Sequence, residues 1–268
     1  MKKALKLLLI SWLLMQIVTP LLLLLPFVLY RFISSGTADV EQLVPELLVP
    51  AQLIATGLVF IYLWRGKHIN RSRENWSGVS FSFNAWSLLA LLSASWLLNV
   101  LSEHLSFMPN IMEESVKQLT SNGLGILCIA LLGPIMEELL FRGAITDSLL
   151  RSTSPKRAIW VSAVMFAVFH LNPAQMIPAL FMGILFAWVY YKSGSLIPPI
   201  LMHVVNNSVA VALAMAIPDV DYLSEVMSPQ LYWGITVGAV PLLVWAIWRI
   251  KGTKTNWHWI KEEQELTI

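Results

Sequence analysis

Long apolar segments constrain the fold of this chain more than any other feature of its sequence. The segment from Leu7 to Tyr30 contains few polar residues, and a helix of about 20 apolar residues spans the hydrocarbon of a bilayer. Hydrophobic residues form 57% of the 268-residue chain and charged residues only 13%, whereas soluble domains carry about 25% charged residues. Because backbone groups in hydrocarbon must be bonded within their own segment, we predict an all-α, polytopic transmembrane helical bundle. A soluble globular domain, a disordered chain and a secreted disulfide scaffold are excluded.

About eight apolar segments, each of about 15 to 27 residues, are predicted to cross the membrane. They are Ala4–Tyr30, Leu48–Trp64, Asn84–Ser102, Leu124–Leu149, Arg157–Leu171, Ala174–Tyr191, Leu196–Ile217 and Gln230–Trp248. The fifth is short and polar at its end. The first is longer than the apolar region of a signal peptide and has no A-x-A cleavage site, so we predict a retained helix with a kink at Thr19-Pro20.

The positions of Lys and Arg predict the orientation of these helices. With a cytoplasmic N-terminus, nearly all of the 18 Lys and Arg residues fall on the cytoplasmic side, the exceptions being Arg31, Lys117 and Arg142. The opposite side carries acidic residues instead: Asp39, Glu41, Glu46, Glu103, Glu113, Glu114, Asp219, Asp221 and Glu225. Since cytoplasmic loops of membrane proteins carry an excess of positive charge, we predict that both termini are cytoplasmic. We expect the membrane to be a bacterial plasma membrane.

The chain shows no linker or repeat that would divide it. We expect a single integral membrane domain over residues 1–268, with a motif-bearing core at about 124–217 and a short cytoplasmic tail at 250–268. The basic loop from Arg65 to Arg73 is interpreted as a contact with anionic lipid, not with nucleic acid. The single cysteine, Cys128, is interpreted as a small buried hydrophobic residue.

Three ionisable residues, Glu137, Glu138 and Arg142, lie within the fourth apolar segment. Ionisable side chains within a span are costly and face the bundle interior or a wet cavity. Glu138 and Arg142 are four residues apart in the favourable order, so we predict an ion pair along the helix. Glu137 is rotated by about 100° and has no such local partner, which makes it the candidate general base. Alternatively, both glutamates form ion pairs that only stabilise the fold.

Further polar residues lie at comparable depths in neighbouring segments. His170 ends the fifth segment, while His203 and Asn207 are four residues apart on one helix face of the seventh. These groups and Glu137 lie about 10 to 20 Å from the cytoplasmic ends of their helices, so we expect them to surround one cavity. Such a set can deprotonate water and stabilise an oxyanion. It can equally hold zinc through Glu137, His170 and His203, and the residues alone leave both mechanisms open.

Together these residues form three motifs in a fixed order on separate segments. They are Glu137-Glu138-x-x-x-Arg142, Phe166-x-x-x-His170 and His203-x-x-x-Asn207. The set resembles the motifs of the CAAX prenyl protease and bacteriocin-processing family of intramembrane endopeptidases, also named the type II CAAX protease family. The resemblance covers residues 137 to 207, about a quarter of the chain.

The resemblance implies a role for each motif residue. Glu137 would activate water, His170 would help to position it, and His203 and Asn207 would stabilise the tetrahedral oxyanion. Glu138 and Arg142 would hold the site together, with Phe166 as further support. The family has been described both as metal-dependent and as glutamate-dependent. We take the glutamate-dependent mechanism, which requires no cofactor, as the leading one. A mechanism that uses zinc is the alternative.

The leading hypothesis is an intramembrane endopeptidase that hydrolyses a peptide bond in a membrane-embedded cavity. Its expected partners are a peptide or membrane-protein substrate and the lipid bilayer, with no nucleic acid. A non-catalytic immunity or partner-binding protein of the same fold, as in bacteriocin immunity, is the second hypothesis. A proton-coupled transporter is the third, since such carriers also place ionisable residues within the membrane.

Overall fold

The computed structural model describes residues 1–35, 40–218 and 220–253, without the side chains of 35 and 40–45. The predicted tail at 250–268 lies outside these residues from position 254 onward. Within the described residues every regular element is a helix. The helices are α1 Lys2–Ser34, α2 Val40–Arg65, α3 Phe81–His104, α4 Glu113–Thr120, α5 Gly123–Leu150, α6 Pro155–Phe169, α7 Pro173–Ser193, α8 Ile197–Ala216 and α9 Pro229–Lys251.

Residues at the helix ends explain several of these boundaries. Ser80 precedes α3, and its side chain accepts a hydrogen bond from the backbone N–H of Phe83. Ser228 caps Leu231 at the start of α9 in the same way, and side-chain caps of this kind satisfy backbone donors that a helix leaves free. Gly194 follows α7 with a φ of 66°, a conformation that glycine adopts without steric cost.

Seven helices in the described part of the chain are long and apolar enough to cross a membrane, by length and composition. These seven helices correspond to seven of the eight predicted segments, and the remaining segment is present as a shorter helix. The predicted fifth segment, Arg157–Leu171, is present as α6, which has 15 residues and a length of about 22 Å, less than the hydrocarbon thickness. This helix ends at Phe169, and Leu171, two residues later, has a φ of 51°, which is incompatible with a right-handed helix. The polytopic helical bundle itself is confirmed.

Two of the long helices contain π-helical turns next to a proline. In α1 the turn Leu14–Val18 precedes Thr19, whose hydroxyl donates to the Leu14 carbonyl at 2.8 Å. This irregularity lies at the predicted kink. In α5, turns at Cys128–Leu132 and Leu139–Thr146 flank the α-helical stretch Gly133–Glu138. Such turns interrupt the regular bonding of a helix and often occur at functional sites.

One end of the bundle, here the basic end, gathers the N-terminus and the loops after α2 and α7. Burial lowers the pKa of His68, and the charges of Lys3 and Lys6 lower it further, so this loop lies beside the start of α1. Across the same end, the hydroxyl of Tyr190 donates to Asn75 Oδ1 at 2.9 Å.

The opposite end, here the acidic end, joins the loop after α3 to the turn between α6 and α7. Asn172 binds this loop through its side-chain amide, which donates to Asn110 Oδ1 at 2.8 Å. Glu103 accepts a hydrogen bond from the hydroxyl of Tyr232 at 2.7 Å. The hydrogen bond and charge of Glu113 raise the pKa of Lys117, and Asp221 contributes in the same direction. The two ends thus differ in charge, as the sequence predicts.

Candidate active site

Glu138 lies at the centre of a buried ionic cluster between α5 and α8. Its side chain is fully buried, and Oε1 accepts from Arg142 Nη1 at 2.8 Å. The same oxygen accepts from His203 Nδ1 at 2.7 Å. The ion pair predicted between Glu138 and Arg142 is therefore confirmed. His203, the first residue of the His203-x-x-x-Asn207 motif, joins this pair as a third member.

Arg142 is enclosed by α7 and by aromatic rings. Its Nη2 donates to the Gly183 carbonyl at 3.2 Å, and its guanidinium carbon lies 4.6 Å from the ring centre of Phe166 and 5.3 Å from that of Phe186. Cation–π contacts of this kind, together with charged hydrogen bonds, offset part of the cost of burying a charge. Arg142 and Phe166 are thus in direct contact, and their role in supporting the site stays a prediction.

Gly183 lets α7 pack closely against α6 beside the cluster. A Cβ atom at this position would lie 3.1 Å from Ala163 Cα and 3.2 Å from Phe166 Cδ1, which is too close for ordinary packing. Small residues allow membrane helices to approach in this way. Neither Gly183 nor Phe186 is among the site residues predicted from the sequence. A glycine within an apolar segment is the one sequence feature that indicates a close helix contact at this position.

Glu137 occupies a different environment from its neighbour. Its side chain is 28% exposed, and Oε2 lies 3.8 Å from His203 Nε2, beyond hydrogen-bond distance. Among the described residues, Oε2 of Glu137 has no hydrogen-bond partner. The side chain is thus partly accessible, while its Oε2 atom is itself buried and has no hydrogen bond to satisfy it.

His203 is oriented by the two glutamates on either side of it. A carboxylate can only accept a hydrogen bond, so the Nδ1 atom that contacts Glu138 carries the hydrogen. The other nitrogen, Nε2, faces Glu137. The ring also packs 5.1 Å from Phe186. The imidazole is thus held at one nitrogen and directed toward the free carboxylate with the other.

His170 lies just beyond the end of α6. Its Nδ1 donates to the Phe166 carbonyl at 2.8 Å, because a carbonyl oxygen can only accept. The Phe166 ring lies 4.7 Å from the His170 ring and 5.9 Å from the His203 ring. In the described part of the chain, no ion pair joins His170 to Glu137. The two imidazoles therefore share Phe166 as a neighbour, and a role for His170 in positioning water remains a prediction.

Asn207 binds α5 at a backbone carbonyl that the helix does not use. Its Nδ2 donates to the Ile129 carbonyl at 3.2 Å. The backbone N–H of Gly133 donates to Cys128, one residue before the acceptor expected in an α-helix, and Pro134 has no N–H to donate. The donors four and five residues after Ile129 are thus engaged or missing. The Gly133-Pro134 pair therefore creates the acceptor that holds Asn207.

The residues suggested for zinc do not form a ligand set in this arrangement. In the ranges that the structure describes, no three His, Cys, Asp or Glu side chains lie close enough together to hold a metal ion. His203 and His170 each use Nδ1 in a hydrogen bond, and histidines that bind metals commonly hold their second nitrogen in this way. The distances between the side chains, and not the orientations of the rings, separate Glu137, His170 and His203 from a zinc ligand set.

Comparison with known proteins gives an independent view of the same region. Residues 120–209 match the family model described as type II CAAX prenyl endopeptidase Rce1-like. Over 100 residues the chain is 29% identical to the protein named Putative membrane peptidase YdiL of Bacillus subtilis (strain 168), covering 37% of this chain and 41% of that protein. It is 31% identical over 101 residues to Membrane-embedded CAAX protease MroQ of Staphylococcus aureus (strain USA300), covering 35% and 40%. No solved structure matches the chain significantly.

The matched region and the site coincide. Each residue of the three motifs falls within 120–209, and the alignments span about two fifths of the length of each relative. Of the seven helices in the described residues that are long and apolar enough to cross a membrane, two lie within this region, one begins in it and four lie outside it. The chain is an integral membrane protein whose residues 120–209 are similar to the Rce1-like domain of type II CAAX prenyl endopeptidases.

Proposed function

We propose that this protein is an intramembrane endopeptidase in which Glu137 activates a water molecule. The observation that supports the proposal is the contrast between two adjacent carboxylates. Glu138 is buried and bonded to both Arg142 and His203, whereas Oε2 of Glu137 has no partner among the described residues and faces the second nitrogen of His203. Glu138 Oε2 also lacks a partner among these residues, but its side chain is fully buried, whereas the Glu137 side chain is 28% exposed. Glu137 is therefore the carboxylate that water can reach.

In the proposed hydrolysis, Glu137 first accepts a proton from water and later donates it to the leaving amine. Glu137 takes a proton from water while the water oxygen bonds to the carbonyl carbon of the substrate, and the carbonyl electron pair moves to its oxygen. Asn207 Nδ2 carries two hydrogens, one bonded to Ile129 and one able to stabilise this oxyanion. His203 can donate as well when Nε2 carries a proton. The C–N bond then breaks, and Glu137 returns its proton to the leaving amine.

The proposed substrate is a peptide or membrane protein with a scissile bond that reaches the membrane-embedded site. We place the enzyme in a bacterial plasma membrane with both termini cytoplasmic, on the basis of the charge difference between the two ends of the bundle. The proposed reaction uses no metal. Cleavage by purified protein is therefore expected to persist after treatment with a strong zinc chelator. Loss of cleavage with recovery on adding zinc would support the zinc alternative.

The function is tested by replacing Glu137 with Gln, which keeps the side-chain size and removes the base. Membranes from cells expressing the wild type or Glu137→Gln are compared by proteomics of new peptide termini. We expect some termini to disappear in Glu137→Gln, because removal of a general base costs about 100-fold or more in rate. The control is Glu114→Gln, an exposed carboxylate in α4, which should leave these termini unchanged.

Equal sets of termini in the wild type and Glu137→Gln would contradict the proposal. If Glu137→Gln also kept full biological effect in its host, the protein would instead be a non-catalytic immunity or binding protein. The termini that disappear name the substrate as well as testing hydrolysis. Both variants must be present at wild-type levels in the membrane, which immunoblotting establishes.

A further inference from the structure

A chain of side-chain hydrogen bonds connects α3 to Asn207. The Ser95 hydroxyl donates to Asn206 Oδ1 at 2.7 Å. Asn206 Nδ2 donates to Asn207 Oδ1 at 3.3 Å, and Asn207 Nδ2 donates to the Ile129 carbonyl at 3.2 Å. Ser95 lies outside the three motifs and outside the region that matches the family model.

The direction of each bond in this chain is fixed by chemistry. The Ile129 carbonyl can only accept, so Asn207 must present its Nδ2 atom to it and its Oδ1 atom to Asn206. Asn206 must then present Nδ2 to Asn207 and Oδ1 to the Ser95 hydroxyl. Turning Asn207 by 180° would place oxygen against oxygen at Ile129 and nitrogen against nitrogen at Asn206. Turning Asn206 would place oxygen against oxygen at Asn207, although the Ser95 hydroxyl could then accept instead of donate. The Ile129 carbonyl therefore sets the orientation of both amides, and Asn206, held by Ser95, fixes the oxygen end of the Asn207 amide.

We propose that Ser95 and Asn206 are positioning residues that hold the Asn207 carboxamide with its N–H group, not its oxygen, toward the oxyanion. This inference rests on the proposed function and deepens it. An amide with its oxygen toward the developing charge would repel it, whereas a fixed donor stabilises the transition state without reorganising. Within the described residues the hydrogen bonds connect Ser95 to Asn207 through Asn206, so an effect of Ser95 on the oxyanion requires Asn207.

The first test needs no substrate. Protein labelled with ¹⁵N-asparagine is placed in lipid nanodiscs, and the side-chain amide signals of Asn206 and Asn207 are assigned with the Asn206→Ala and Asn207→Ala variants. We expect Ser95→Ala to shift both sets of signals and Ser95→Thr, which keeps the hydroxyl, to restore them. The matched control is Ser93→Ala, a buried serine in the same helix, which should shift neither set.

The second test is a double-mutant cycle on kcat with a substrate found in the Glu137→Gln comparison. Ser95→Ala should lower kcat about 10-fold, less than the loss of a whole oxyanion donor, and leave KM unchanged. In an Asn207→Ala background, Ser95→Ala should cause no further loss, since coupled residues are not additive. Ser95→Thr should keep the wild-type kcat.

Two results would overturn the inference: unchanged Asn207 amide signals in Ser95→Ala, or a full additional loss of kcat when Ser95→Ala is added to Asn207→Ala. A failure of the proposed function gives a different result. In that case Glu137→Gln cleaves as well as the wild type, whatever Ser95→Ala does to the amide signals. The two failures are therefore distinguishable.

Discussion

Glu137 and Glu138 are adjacent in the sequence, but the helix turns their side chains about 100° apart. Glu138 points toward α8 and receives hydrogen bonds from Arg142 and His203 on one oxygen. Its other oxygen, Oε2, and the Arg142 Nε have no hydrogen-bond partner within the described residues. The cluster therefore depends on the few bonds it has, and each partner becomes a buried, uncompensated charge when the other is removed.

Replacing Glu138 with Ala is expected to destabilise the protein. Arg142 is about 1% exposed and would lose its carboxylate partner, which typically costs about 3 to 5 kcal/mol. Thermal unfolding of purified protein in detergent should therefore occur at a clearly lower temperature. Glu137→Ala is the matched control and should unfold close to the wild type, because its side chain is 28% exposed.

A double variant separates charge from packing at the same site. Glu138→Leu combined with Arg142→Met removes both charges and keeps apolar volume, so it should recover much of the stability lost in Glu138→Ala. An unfolding temperature of Glu138→Ala equal to that of the wild type would contradict the structural role of the pair. Failure of the double variant to recover any stability would show that packing by Arg142 matters more than its charge.

At the scale of the element, the irregular bonding of α5 links its sequence to the site. The π-helical turn Cys128–Leu132 ends at Gly133, and Pro134 supplies no backbone donor. The free Ile129 carbonyl then receives the amide of Asn207 from α8. Pro134 in α5, because it has no N–H group, thus helps to position the Asn207 side chain of α8.

Pro134→Ala is expected to weaken this link while leaving the fold intact. The new N–H gives α5 a backbone donor that can bond the Ile129 carbonyl, for which it then competes with Asn207. We expect the cleavage rate to fall about 10-fold, as for a displaced oxyanion donor, and the unfolding temperature to stay equal or rise, since a proline within a helix is unfavourable.

Pro241→Ala provides the comparison for Pro134→Ala. Pro241 also lies inside a helix, in α9, but outside the region that carries the motifs. Its replacement should leave the cleavage rate unchanged. A Pro134→Ala enzyme with wild-type activity would mean that the Ile129 carbonyl does not control the orientation of Asn207.

The sequence predicts the spanning helices well because their apolar residues are contiguous and the bilayer sets their length. It also predicts the pair of Glu138 and Arg142, since helical spacing alone brings them together. The contacts of Gly183 and Ser95 depend on which helices are neighbours, and Ser95 is 111 residues from Asn206. The helix α4, Glu113–Thr120, lies outside the predicted segments, because a search for long apolar segments does not detect a short polar helix.

At the scale of the whole molecule, the separation of charge gives the bundle a direction. The basic end holds the N-terminus and the loop of residues 66–80, beside Lys3 and Lys6. The acidic end holds the loop of residues 105–112, which Asn172 fastens to the turn after α6. Since α6 runs from the basic end and stops at Phe169, His170 lies in the half of the molecule nearer the acidic end.

The orientation of the bundle can be tested with thiol labelling, because Cys128 is the single cysteine and is buried. In a Cys128→Ser background, Ser106→Cys reports on the acidic end and Gly78→Cys on the basic end, where an added Cβ meets no atom within 4 Å. We expect a membrane-impermeant maleimide to label Ser106→Cys in intact cells and Gly78→Cys only after permeabilisation, because positively charged loops stay in the cytoplasm. The opposite labelling pattern would show that the bundle has the reverse orientation in the membrane. His170 would then lie in the cytoplasmic half of the membrane, and a substrate approaching that histidine would do so from the cytoplasm.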